Sequence, residues 1–377
     1  MSRTRDQDAC PGALQVHQAA DGALVRVRLP GGFLEAAALE TLAHLAIECG
    51  NGALELTSRG SVQIRAITDT ARVADAIAGA GLLPAPAHER VRNIVSSPLS
   101  GRSGGLTDVR EWVRDLDAAL QADAALSKLP GRFWISIDDG RGDVSGLRTD
   151  VGLQVTEDGV ALLLAGSDTG VRLSADSAIP TVIEIASRFQ RDRGKRWRVA
   201  ELDYPTALAA GYEVAVPAEQ RLVVGDTARG PVGWIEQNGS DPRVTLASVV
   251  PLGVLPARTA EFVAAINAPL VVTPWRSILI CDLREEVADT ALRVLAPLGL
   301  VFDEASPWLT VSACAGSPGC ERSTTDVRAD AVAAVNSGPT APSGAHRHFV
   351  GCERGCGAPA GAQVLVASAD GYRPRHT

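Results

Sequence analysis

The chain has 377 residues, 46% of them hydrophobic and only 21% charged, enough to bury substantial cores in about two domains. Its net charge of −8 excludes nucleic acid as the main partner, because phosphate binding needs a basic surface and an anionic ligand here would need local arginine clusters. No apolar leader opens the sequence and no apolar run suits a membrane span, so the cytoplasm is expected, and seven cysteines, an odd number, suit a reducing compartment.

In chain order, the first informative feature is a repeat. Leu24–Leu29, a turn at Pro30 and a helical stretch from Leu34 form one design, and Val244–Val250, Pro251 and the stretch from Ala257 repeat it. In the helical stretch, Leu34, Ala38, Leu39, Leu42 and Leu45 make one apolar face suited to a sheet. The strand Leu54–Arg65 matches Leu270–Ile280, and Gly81-Leu-Leu after one helix matches Gly299-Leu-Val after another, at an offset of about 217 residues. Val91–Pro98 corresponds to Leu309–Gly316, which sets Arg92 and Asn93 against the late cysteines. A duplicated α+β protein with a site between its halves is expected.

Each half reads as a small unit of alternating strands with one amphipathic helix, then a larger unit. In the first half the larger unit holds a helix Asp108–Leu120, a strand Arg132–Asp138, a turn from Asp138 and a helix near Thr181–Arg191. The basic run Arg191–Trp197 reads as a solvated helix end. Glu213–Val232, rich in Pro and Gly, reads as the crossover between halves.

Late in the chain, Cys314 and Cys320 form a C-x5-C pair and Cys352 and Cys356 a C-x3-C pair, both among small residues. Glycines there let backbone N–H groups approach a bulky inorganic core, which suits a [4Fe–4S] cluster on four thiolates. Zinc is the alternative, although the first pair is wider than its usual spacing, as are cysteines that bind nothing. Arg26 and Arg28 alternate with apolar residues and so share one sheet face, as do Gln63 and Arg65 with Arg59 before them. Arginine binds carboxylate bidentately and stays charged, so this face suits a polyanionic ligand; ordinary solvent-facing arginines are the alternative.

Taken together, the two cysteine pairs, the Arg26–Gly32 strand, the Thr57–Arg65 strand and the Val91–Pro98 segment resemble the sirohaem sulfite and nitrite reductase family. The resemblance runs from the Ala9-Cys-Pro-Gly segment to the Asp370-Gly-Tyr segment. It implies an α+β fold of two pseudo-symmetric halves, each a small ferredoxin-like half-domain followed by a larger α/β reductase-like domain. The corresponding divisions are 1–84, 85–222, 223–303 and 304–377, the last carrying the cluster cysteines. Reductases of the family have G-C-P-N-G-C at the second pair, where this chain has Glu353 and Arg354 between its cysteines. They also carry a K-F-K strand for the anionic substrate, and the similar place here reads Arg132-Phe-Trp134. His348 stands before the second pair, where the family's synthase branch similarly has a histidine. The chain is most similar to that branch, which serves aerobic cobalamin biosynthesis.

That resemblance implies an O2-dependent monooxygenase hydroxylating precorrin-3A, a tetrapyrrole with eight carboxylates, at C20 with γ-lactone formation. It implies a [4Fe–4S] cluster on Cys314, Cys320, Cys352 and Cys356, and a substrate held by Arg26, Arg28, Arg59, Gln63, Arg65, Arg92 and Arg132. Arg92, Asn93 and His348 are candidates for catalysis. A cluster relays single electrons, so the resemblance further implies a mononuclear non-haem iron for O2, with His346 and His348 as its nearest offer. His17, His44 and His88 read as structural or exposed. No G-x-G-x-x-G opens a helix after a strand, so electrons are expected from a separate NADH-linked donor. Two other readings stay open: a short sirohaem-dependent sulfite or nitrite reductase, and a non-catalytic iron–sulfur or zinc protein that binds a tetrapyrrole or a partner.

Overall fold

A computed structural model describes residues 8–225, 229–338 and 345–375. Three residues of the expected crossover, 226–228, and the chain ends 1–7 and 376–377 lie outside the described residues. The first unit runs β1 (His17–Ala19), β2 (Gly22–Val27), β3 (Phe33–Leu34), α1 (Ala36–Cys49), β4 (Ala53–Leu56), β5 (Val62–Ile67) and α2 (Thr70–Gly79). There follow β6 (Ile94–Ser96), α3 (Arg110–Ala122), β7 (Ile135–Asp138), β8 (Val151–Thr156), β9 (Gly159–Leu164), β10 (Ser167–Leu173) and α4 (Ala175–Asp192). The design then recurs with β11 (Gly233–Glu236), β12 (Val244–Val249), β13 (Val254–Pro256), α5 (Ala257–Ala265), β14 (Leu270–Val272), β15 (Ser277–Leu283) and α6 (Glu285–Leu295). The chain closes with β16 (Val311–Ala313), α7 (Val327–Asn336), β17 (Arg347–Val350), β18 (Gln363–Ser368) and β19 (Gly371–Pro374).

Four sheets result, and they pair off by topology. The two small sheets have the orders β1-β2-β5-β4-β13 and β11-β12-β15-β14-β3. Each therefore takes its last strand from the other half: Leu255 pairs with Leu54, and Leu270 with Leu34. The exchange depends on Gly32, at φ +78, where an added Cβ would lie 2.0 Å from the Val272 carbonyl oxygen. The sequence repeat did not foretell this swap, because edge pairing is a tertiary choice that strand patterning leaves open. The larger sheets run β10-β9-β8-β7-β6 and β16-β17-β18-β19, each with three parallel strands and then an antiparallel return.

The helices follow from composition and caps. Small residues on α1 and α5 (Ala43, Ala46, Ala260, Ala264) let the two helices approach, and one continuous core joins both small sheets through Leu39, Leu42, Val263 and Ile280. The helix expected from Thr181 starts earlier, at Ala175, with the Ser174 side chain accepting from Ser177 N–H and Pro180 carried inside. The strand expected from Arg132 pairs only from Ile135, since Phe133 N–H is used in a turn by Pro130 carbonyl. The basic run at 191–197 is not wholly solvated: Arg193 is buried and donates to the Gln190 side chain and to local carbonyls. Glycine ends the helices α2 and α6 as expected, with Gly81 and Gly299 at positive φ and the next N–H returning to the last turn.

The outer faces of the two small sheets differ. Opposite the α1 core, the first presents Arg26, Arg28, Glu55, Gln63 and Arg65. The matching face of the second is apolar: Ala247, Val271, Leu279 and Cys281 pack with Leu99 of the first half. The first face meets the loop between Cys314 and Cys320 through Arg65.

Candidate functional site

Parallel pairing explains how two cysteine pairs far apart in sequence meet. β16 and β17 are parallel neighbours, so the loops that follow them leave the same end of the sheet. Cys314 N–H extends the ladder to Phe349 carbonyl at 2.9 Å, and Gly351 N–H points at Cys314 Sγ at 3.4 Å. Gly316, Gly355 and Gly357 take positive φ, which bends both loops back around the thiols. All four cysteines are free. Burial pushes the Cys356 thiol up; Arg354 opposes this, and the nearby Cys314, Cys352 and Cys320 thiols add to it. Cys356 thus lies near enough to feel the other three thiols. Among the described residues, however, no three His, Cys, Asp or Glu side chains converge tightly enough for a single metal ion. Four thiols on two loops that leave the same end of one sheet are a donor set that an iron–sulfur cluster could use.

Cations tie the loops and α7 to both small sheets. Arg65 holds Asp21 with two hydrogen bonds, of 2.9 and 2.8 Å, and also donates to Gly319 carbonyl between the first two cysteines. Arg276 donates to Gly357 carbonyl at 2.7 Å, just after Cys356, and Arg328 of α7 meets Glu55 at 2.6 Å. Beside these ties lies a cavity of about 370 Å³, lined among others by Ser58, Trp134, Leu252, Trp275, Arg276, Ser312 and His346. Its wall includes several donors. The indole N–H groups of Trp134 and Trp275 are buried without a partner, and Arg229 adds a cation to the wall.

The expected histidines do share one side. His348 is fully buried on β17 and His346 immediately precedes that strand. His346 Nε2 and His348 Nδ1 lie 2.7 and 2.8 Å from Ser312 Oγ, and His348 Nε2 meets Cys356 carbonyl at 3.0 Å. Burial, then Arg276, pulls both imidazoles down to about 4, so both stand neutral at pH 7. The nitrogens of the pair are engaged by Ser312 and a carbonyl, and among the described residues no carboxylate joins them in a donor set for the expected mononuclear iron. Of the other histidines, His17 and His44 are exposed and His88 is buried against Asp123 carbonyl.

The seven residues expected to hold substrate fall in several places, and none lines the larger cavity. Arg26, Arg28 and Arg59 do cluster. Burial lowers all three, Arg59 to about 10, with Cys10 as a compensating neighbour. Arg26 binds Gln63 at 2.8 Å, Arg28 binds Asn93 at 2.6 Å while its Nη2 stays unpartnered, and Arg59 lies 5.2 Å over the Trp134 ring. This cluster borders the cavity through Ser58 and Trp134. Arg132 is exposed and stacks on Trp197 at 5.3 Å. Arg65 serves the cysteine loop instead, as described above.

Arg92 requires a further correction. It makes two 2.7 Å bonds to Asp117 of α3 and, with Arg28, lines a separate cavity of about 190 Å³. Nor do Arg92 and Asn93 stand in the place of the cysteines. Strand register equates Ile94 with Val311, so Ser97 occupies the position of Cys314. Asn93 is a structural hub whose amide donates to the Arg90, Gly131 and Phe133 carbonyls. The residues that sequence reasoning missed are Trp275 and Arg276, for which the repeat held a signal: Arg276 stands where the first half has Gly60.

Similarities to known proteins agree with this arrangement. The Nitrite/Sulfite reductase ferredoxin-like half domain matches residues 17–78, the segment of the first small sheet. A protein from Sinorhizobium sp named Precorrin-3B synthase is 27% identical over 382 aligned residues, covering 97% of this chain and 81% of that protein. A ferredoxin-nitrite reductase from Synechococcus elongatus is 32% identical over 127 residues, covering 31% of this chain and 25% of that one. Among solved structures, the Mycobacterium tuberculosis NirA protein shares the fold, with a TM-score of 0.75 over 89% of this chain and 69% of that chain at 21% identity. Among the described residues no helix is long and apolar enough to cross a membrane. The chain is thus a homologue of precorrin-3B synthase, similar over nearly its whole length, and carries one nitrite/sulfite reductase ferredoxin-like half domain.

Proposed function

We propose that the protein is a precorrin-3B synthase, an O2-dependent monooxygenase that hydroxylates precorrin-3A at C20 with γ-lactone formation. The observation that carries this reading is the cavity beside the loop after Cys356, with Arg229, Arg276 and the indoles of Trp134 and Trp275 in its wall, which suits a flat ligand rich in carboxylates. The reading divides the chain at residues 84, 222 and 303. Cys314, Cys320, Cys352 and Cys356 would hold a [4Fe–4S] cluster, which when bound supplies electrons one at a time. A separate NADH-linked protein would deliver them.

The chain's own residues bind, orient and exclude water. Arg26, Arg28 and Arg59 form a buried cationic bank that a carboxylate-bearing macrocycle would neutralise, and the Trp134 and Trp275 rings offer apolar walls with one donor each. Neutral His346 and His348 share Ser312 and can pass a proton along that hydroxyl without adding charge beside Arg276.

A sirohaem-dependent sulfite or nitrite reductase is the second reading, favoured by the NirA-like fold. Against it stands Trp134, an indole where the reductases of the resembling family keep a lysine for an anionic substrate. The deciding experiment is anaerobic purification with iron, sulfide and sirohaem analysis, then incubation with precorrin-3A and ¹⁸O2. Incorporation of one labelled oxygen into the product supports the synthase; bound sirohaem with turnover of sulfite or nitrite at about 1 s⁻¹ or more supports the reductase.

A further inference from the structure

The two halves use the same hairpin turn with different residues at its hardest position. Thr57–Ser61 and Thr273–Ser277 close identically, with Thr57 N–H to Ser61 carbonyl and Thr273 N–H to Ser277 carbonyl. The left-handed residue is Gly60 in the first turn, at φ +61, and Arg276 in the second, at φ +57. The preceding turns repeat the contrast: Gly31 stands at φ +65 and Leu252 at φ +55. A side chain in this region is strained where glycine is not. Both strained side chains, Leu252 and Arg276, line the larger cavity. Gly253 makes room for one of them, since an added Cβ there would lie 2.7 Å from Arg276 Cδ.

Arg276 is also cationic without a counter-ion. It is partly buried in the cavity wall, and burial, then the Arg328 charge, lower its guanidinium to about 10. Glu55 acts on it only from a distance, and among the described residues no carboxylate comes within ion-pair reach. The bond to Gly357 uses one nitrogen of a group that carries five N–H donors. Next to it, the Trp275 indole N–H is buried and unpartnered.

We infer that Arg276, with Trp275 Nε1, forms a carboxylate subsite of the larger cavity, holding one acid group of the ligand against the loop that carries Cys356; this rests on the tetrapyrrole reading given above. The ligand's carboxylate would accept from the free guanidinium edge and from the indole, supplying the missing anion at the place where the backbone strain is stored.

The test uses uroporphyrin, a stable tetrapyrrole with eight carboxylates, titrated by fluorescence quenching into wild type, Arg276→Gln and Arg276→Gly. The Gln side chain keeps an N–H donor but lacks the charge and the full reach, and Gly relieves the left-handed strain. Both variants are expected to bind about 10- to 100-fold more weakly, the loss of a charged hydrogen bond, while iron and sulfide content and melting temperature stay near wild type. Wild-type binding with variant affinities within twofold of it overturns the subsite alone. A wild type that binds no uroporphyrin overturns the tetrapyrrole reading and the subsite with it.

Discussion

Arg92 offers a sharp test because sequence and structure give it different work. Sequence reasoning makes it a clamp for substrate, so its loss would reduce affinity. In the structure its guanidinium is spent on Asp117 through two 2.7 Å bonds, with side-chain exposures of 7% and 15%. Arg92→Ala strands that carboxylate. Breaking a buried pair from one side costs about 3–5 kcal/mol. Asp117 keeps some solvent and the 3.0 Å bond from Gln121, so we expect about 2–3 kcal/mol. With a urea slope of about 3 kcal/mol/M for a chain of this size, the first unfolding midpoint falls by nearly 1 M. Replacing both partners, Arg92→Met with Asp117→Leu, should recover most of the loss, because neither charge is then left alone. An unchanged midpoint together with lost uroporphyrin binding would refute the reasoning and return Arg92 to the ligand.

Two further outcomes follow from other sites. Cys352→Ser should lose iron and sulfide, since a hydroxyl is a poor substitute for thiolate, whereas Cys281→Ser should keep both; Cys281 is fully buried and burial pushes its thiol up to about 11. Full iron content in the Cys352 variant would remove the cluster from these loops. Asp143 is held up to about 7 by burial and by Asp138, with Asp139 adding to it, while Ser97 and Arg141 pull it down. The folded state therefore holds this proton more tightly than the unfolded chain. That stabilisation is complete below about pH 4 and is lost as pH rises through 7. Asp143→Asn should accordingly lose less stability than wild type between pH 4 and 8, by at most about 4 kcal/mol, measured by urea unfolding across that range; parallel curves would show that Asp143 titrates normally.

What sequence made legible here was periodic or spaced. The strand, turn and helix at Leu24–Leu45, its repeat at 244–266, the glycine-terminated helices and the two cysteine pairs all depend on neighbours within a few residues. The polar face of Arg26, Arg28 and Gln63 was equally readable, because alternation along a strand is local. Partner choice was not: Asp117 reaches Arg92 from a helix whose outward charges look alike in sequence, and Gly319 draws Arg65 from 254 positions away. The register of Ser97 against Cys314 depended on where β6 and β16 begin; matching Val91 to Leu309 sets Ser96 there instead, one residue off, and Arg92 meets a cysteine in neither match. Arg276 went unremarked because a turn position says nothing of side-chain use until its φ is known.

The traded edge strands bear on ancestry. If each copy of the duplicated unit completes its small sheet with a strand from the other, a lone copy would have left β4 or β14 bare, an open edge prone to mispairing. The progenitor is then best pictured as an interlocked pair of identical chains, with two equal clefts related by the twofold axis. Joining the genes released the two clefts from having to match. One could gather thiols and arginines, while at the other Leu99, Val271 and Leu279 packed together and shut the cleft. On this view the single chemistry of the molecule is the outcome of broken symmetry, and the closed cleft, now hydrophobic core, stiffens the frame on which the open one is held.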